Sequence, residues 1–127
     1  MTLTSTIARY LLGLVFFVFG LNGFFHFIPM PMPPGIAGQF MGAIFVSHFY
    51  VVIFFVQTVS GLLLLIGRYV PLALALLAPV IVNILSFHAF MASDGFQLAV
   101  VAVILWLLVF VSVRHAFAGI LQQRVAD

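Results

Sequence analysis

Four long apolar runs leave this chain few ways to fold. They occupy about residues 7–28, 48–66, 71–91 and 96–117, and none holds a lysine, aspartate or glutamate. In a helix, roughly 20 residues at about 1.5 Å each cover about 30 Å, the thickness of a bilayer's hydrocarbon core. Backbone inside that core must satisfy its own N–H and C=O groups, which a helix does and an open strand does not. Composition closes the alternatives. Of 127 residues, 66% are hydrophobic and 5% charged, against about 25% charged in soluble domains. Disordered chains show the opposite balance. The expected fold is all-α: an integral membrane four-helix bundle, built as a single domain over residues 1–127.

Short breaks separate the runs. MTLTST precedes the first, and Thr4, Ser5 or Thr6 suits a helix N-cap. This run exceeds the roughly 7–15 residues of a signal-peptide core and no A-x-A site follows it, so it reads as a span. Residues 29–38, PMPMPPGIAG, form a loop, because proline lacks an N–H and restricts its predecessor. Residues 39–47 suit a short interfacial helix or the first turns of the second span. Pro71 opens the third span at a favoured position, and Pro79 is expected to kink it. Gly13 and Gly20 suit close helix packing. Gln57, Ser60 and Gly61 share a face by i, i+3, i+4 spacing and are expected against another helix, with Leu64 toward lipid.

Four spans put both termini on one side. Arg9, Arg68, Arg114 and Arg124 then fall together at that side, and none falls at the other. The positive-inside rule makes it cytoplasmic, with the proline loop and Asp94 outside. Arg114 and His115 are expected as headgroup contacts. A net charge of +2 from so few charges excludes a nucleic-acid surface. The absence of cysteine excludes disulfides, thiolate metal sites and thiol catalysis.

The stretch Leu21–Gly35, LNGFFHFIPMPMPPG, holds the densest polar cluster within apolar sequence. Asn22 and His26 stand four apart and share a helical face. Near the end of the third span, Asn83 and His88 stand five apart, about 140° around a helix, so both face inward only if the Pro79 kink or a π-bulge turns the helix end. The two pairs lie at similar depth beyond Arg9 and Arg68 on spans running in one direction. Their likeness suggests a parallel repeat of a two-helix hairpin.

The segments RYLLGLVFFVFGLNGFFHFIPMP and GRYVPLALALLAPVIVNILSFHAF resemble the DoxX-like family of small bacterial membrane proteins. The resemblance extends over about residues 7–115 and rests on the LNGFFHF–proline stretch and the VN-x4-FH pair. It implies a four-helix fold in the bacterial inner membrane with polar residues toward the periplasmic side. Some relatives are linked to thiosulfate:quinone oxidoreductase or to membrane redox complexes. Asn22, His26, Asn83 and His88 match the family pattern.

Two readings of these residues follow. In one, Asn22, His26, Asn83 and His88, with Phe25 and Phe87 nearby, line a ligand site in the outer half of the bundle, where imidazoles bond a quinone carbonyl. In the other, they bond one another or the proline-loop carbonyls and lock the bundle. His26 and His88 at one depth also match bis-histidine haem ligation, though nothing else in the sequence points to haem. No metal site is expected, since no carboxylate lies in a span. No catalytic residue is assigned, because no span offers Asp, Glu, Lys or Cys. The function classes are a subunit of a quinone-linked redox complex, a structural subunit packing on larger membrane partners, and a small lipid- or solute-handling protein. Expected partners are the bilayer and a larger membrane complex or further copies of the chain.

Overall fold

The structure, a computed structural model, describes residues 1–125. Five α-helices follow in order: α1 Leu3–Phe25, α2 Gly35–Val46, α3 Tyr50–Ile66, α4 Val70–Phe90 and α5 Phe96–Val113. A 3-10 turn, Arg114–Phe117, extends α5. No strand occurs among the described residues.

Local chemistry sets the helix ends. Thr2, ahead of the three expected candidates, caps α1, its Oγ1 accepting from the Ser5 N–H at 3.1 Å. α2 starts directly after the extended Pro34, where prolines are spent and the chain is free to coil. Gly67 ends α3 in the left-handed region, and its amide and that of Arg68 both bond the Leu63 carbonyl, at 3.0 and 3.2 Å. That arrangement leaves the Leu64 carbonyl without its helical amide. The Arg9 guanidinium donates to it from α1, placing a cation at the negative end of α3. Pro71 stands in the first turn of α4 and Pro79 inside it.

Four helices pair in a closed ring: α1 with α3, α3 with α4, α4 with α5, and α5 with α1. The α1–α3 contact is the most extensive, and α2 lies outside the ring. Leu12 and Phe16 of α1, Leu64 of α3, Leu74 and Leu77 of α4 and Val109 of α5 fill the interior. Besides the Arg9 bond to Leu64, Trp106 Nε1 donates to the Leu74 carbonyl at 2.9 Å, and Ser5 Oγ to the Leu108 carbonyl at 3.2 Å, each joining two helices of the ring.

Outside, the ring is as apolar as inside. Leu14, Phe55, Val82 and Leu107 are all about half exposed or more. A water-soluble chain does not present such a continuous apolar surface, so lipid is its solvent. α1, α4 and the α5 segment to Phe117 are each long and apolar enough to cross a membrane. α3 has 17 residues, about 25 Å, short of the core thickness. It makes a fourth crossing only together with α2, which meets it at 87°.

Gln57, Ser60 and Gly61 are buried as expected, and Ser60 Oγ has no partner among the described residues. Leu64 corrects the sequence reading. Expected toward lipid, it is fully buried, because it follows Gly61 by three residues and Ser60 by four and so shares their face. Leu62, 43% exposed, is the lipid-facing neighbour.

Candidate functional site

The cavity of interest begins with the way α1 stops. Asn22 is buried, and its side chain reaches past the helix end to Ile28. Its Oδ1 accepts the Ile28 N–H at 2.6 Å and its Nδ2 donates to the Ile28 carbonyl at 3.3 Å. One amide thus satisfies both backbone groups of a residue that has left the helix. The turn this clamps puts His26 in the left-handed region, φ 53°, with its N–H on the Asn22 carbonyl at 2.8 Å. His26 is therefore the helix cap rather than the next position on the Asn22 face. Its ring is exposed and makes no hydrogen bond among the described residues.

Beyond Ile28 the prolines hold the chain extended, and α2 returns it across the end of α1. Under this roof lies a cavity of about 370 Å³. Phe19, Asn22 and Gly23 line it from α1, the capping His26 and residues 28–33 from the turn and loop, Met41 and Phe45 from α2, and Phe54 from α3. Gly23 is required here, since a Cβ at that position would stand 2.2 Å from Phe54 Cγ. The aromatic wall is continuous. His26 and Phe45 have ring centroids 5.9 Å apart, Phe45 and Phe54 6.1 Å, and Phe45 stacks on Tyr50 at 5.2 Å. His48, at the bend between α2 and α3, is also left-handed, φ 65°. His26, which lines the cavity, is thus a β-carbon-bearing residue whose backbone is held in that region by its surroundings.

The other sequence candidates stand elsewhere. α4 is diagonal to α1 in the ring, and no α4 residue lines the cavity. Asn83 is exposed, its Nδ2 donating to the Pro79 carbonyl of its own helix at 2.8 Å. His88 Nδ1 lies 3.0 Å from the Ala92 carbonyl and closes the turn after α4. Phe87 packs on Phe40 of α2 at 5.8 Å, tying α2 to α4. Phe25 is 71% exposed and outside the cavity. Met41, Phe45 and Phe54 line the cavity without having been singled out in the sequence, where apolar residues among apolar neighbours carry no contrast.

The cavity is small-molecule in size and mostly apolar in lining. Its volume falls within the about 300–1,000 Å³ of small-molecule sites. Its walls are aromatic, aliphatic and thioether, and a neutral imidazole there can donate or accept a hydrogen bond. The Asn22 amide is largely committed to Ile28. A flat, mostly apolar ring with a carbonyl or hydroxyl at its edge fits this donor set.

A family model described as DoxX matches residues 4–89, a stretch that contains the whole cavity lining. No curated protein and no solved structure matches the chain.

Proposed function

Since the chain belongs to the DoxX family, we propose that it is a membrane subunit of a redox complex that holds a quinone-type ring in the cavity beneath the proline loop. The observation that carries this reading is the exposed, unbonded His26 ring facing an aromatic-walled cavity of about 370 Å³. His26 serves as the hydrogen-bonding contact, Phe45 and Phe54 as the flat walls, and Asn22 as the clamp that keeps loop and cavity in place. A bound quinone supplies two-electron redox chemistry. The chain's own contribution is to seat the ring, exclude lipid tails from it and offer an imidazole proton at one oxygen. On this reading the electron donor belongs to a partner subunit of the complex.

The test is extraction of quinone from protein purified in mild detergent out of its native membrane. Wild type is expected to carry it. His26→Leu is expected to keep its thermal stability, since the ring is an exposed cap side chain, and to lose at least tenfold of the ligand, a change of about 1.4 kcal/mol. A second reading, a purely structural subunit, draws on Asn22, whose amide is already satisfied by Ile28. It predicts no ligand in either protein.

The topology belongs to the same proposal: four spans, both termini in the cytoplasm of a bacterial inner membrane, and the cavity outside. Its support is the arginine distribution, with Arg9 reaching the α3 end beside Arg68. Met32, 57% exposed in the proline loop, gives a clean probe because the chain has no cysteine. Met32→Cys is expected to react with an impermeant maleimide in intact cells. Reaction only after the cytoplasmic side is opened would reverse the topology.

A further inference from the structure

We propose that the cavity beneath the proline loop is also a site for a soft monovalent metal ion, Cu(I), held by the thioethers of Met30, Met32 and Met41 with the His26 imidazole. Of the five methionines in the chain, these three line the one cavity beside His26. The frame that carries their sulfurs is stiff. Met30 and Met32 each stand between two prolines. Proline fixes its own φ and keeps the residue before it extended, so ligation has little backbone freedom left to remove. The Asn22 bonds to Ile28 anchor the near end of this segment. Met41 comes from α2, on the side of Gly38 and Phe45 by i, i+3, i+7 spacing. Met32 reaches that same side, its Cγ lying 3.7 Å from where a Gly38 Cβ would stand. Gly38 lets the loop seat so closely, because its Cβ would also meet the Pro33 carbonyl oxygen at 2.2 Å.

Donor chemistry selects the ion. Thioether sulfur is soft and uncharged, and imidazole ligates in its neutral form. No carboxylate or thiolate stands among the described lining residues. Nothing there offsets the second charge of a divalent ion or replaces the oxygen shell of a hard one. A soft ion of single charge is the one such a set holds at least cost. The thioether side chain is unbranched, with three rotatable bonds, so each sulfur can turn toward a common point. Histidines and carboxylates alone form no metal cluster among the described residues, and the sequence expectation of no metal site counted only those. The quinone seat gives the three sulfurs no hydrogen-bonding role and shares His26 with the metal, so the two guests exclude each other at that ring.

The full chain, purified in mild detergent, is titrated with Cu(I) under anaerobic, reducing conditions against a bicinchoninate competitor. One Cu(I) per chain is expected. Met32→Leu and Met41→Leu each keep an apolar side chain of similar size and are expected to weaken binding at least about tenfold. Met30→Leu, at an exposed loop position, gives the same reading should Met41→Leu fail to fold. Met91→Leu, at the far end of α4, is expected to bind as wild type does. With Ag(I) as a stable analogue and isotope-labelled methionine methyls, NMR signals of Met30, Met32 and Met41 are expected to shift and that of Met91 to stay. Protein that carries no quinone but binds Cu(I) in this way upholds the metal site alone. Protein that takes no Cu(I) from the competitor, with or without quinone, overturns it. So does uptake that persists when Met30, Met32 and Met41 are all leucine.

Discussion

Gly61→Leu is expected to leave no folded protein in detergent extracts. A Cβ at Gly61 would stand 2.4 Å from the Phe17 backbone nitrogen and 2.8 Å from the Gly13 carbonyl oxygen. Both are backbone atoms of α1, so no rotamer change relieves the clash. The helices must separate, and the α1–α3 contact is the most extensive in the ring. Overpacking where side chains can adjust typically costs about 1–3 kcal/mol. Here the rigid neighbour and three further carbons push the cost higher, against a total stability of about 5–15 kcal/mol. Gly61→Ala is expected to give the same direction with a measurable melting transition several degrees lower. Leu62→Ala, one residue away on the lipid side, is expected to stay within about 0.5 kcal/mol of wild type. Equal melting temperatures for Gly61→Ala and Leu62→Ala would remove the close-packing argument.

Asn22→Leu is expected to release the proline loop. The variant keeps the branched side-chain shape, with bulkier methyl groups, and loses both bonds to Ile28, leaving an N–H and a carbonyl unpaired at a partly buried site. Each such group costs about 1–3 kcal/mol, enough to free residues 26–34 without unfolding the ring. Proteolysis of that loop in detergent should quicken by at least an order of magnitude. Asn22→Asp keeps the acceptor for the Ile28 N–H at 2.6 Å and should show a smaller effect. Bound ligand is expected to fall along with loop protection in Asn22→Leu, whereas His26→Leu separates the two. A loop as protected in Asn22→Leu as in wild type would mean that Ile28 finds other partners and that Asn22 is not the clamp.

The apolar runs made most of the fold legible, because hydropathy over about 20 residues is a bulk property that tolerates local error. What the runs do not encode is rotation and side. Hydropathy alone places Leu64 toward lipid, yet it shares the helical face of Ser60 and Gly61 and is fully buried. The glycine contacts of α1 fared better, since Gly13 and Gly20 both meet α3. α3 falls short as a span by itself because the chain bends at Ser47–Phe49, where neither proline nor a charge announces a break.

The candidate site was half legible. Asn22 and His26 stand out as polar residues in apolar sequence, and both line the cavity. They meet there through the turn and not on one helical face, because i, i+4 arithmetic holds only while the helix continues and α1 stops at Phe25. Asn83 and His88 are expected at the same depth from their distance beyond Arg68. Depth along an axis does not fix which helices are neighbours, and α4 lies across the ring from α1. Phe45 arrives from α2, whose 87° turn against α3 is a tertiary feature with no local signature.

Photoaffinity labelling tests the central claim most directly. The native complex, in membranes, is irradiated with an azidoquinone bearing a short prenyl tail, and labelled peptides are mapped by mass spectrometry. Label is expected on residues 26–33 and on Met41 or Phe45, competed away by unmodified quinone and absent from His26→Leu. Label confined to lipid-facing α4 and α5, or present equally in His26→Leu and insensitive to competition, would contradict a quinone seat beneath the proline loop.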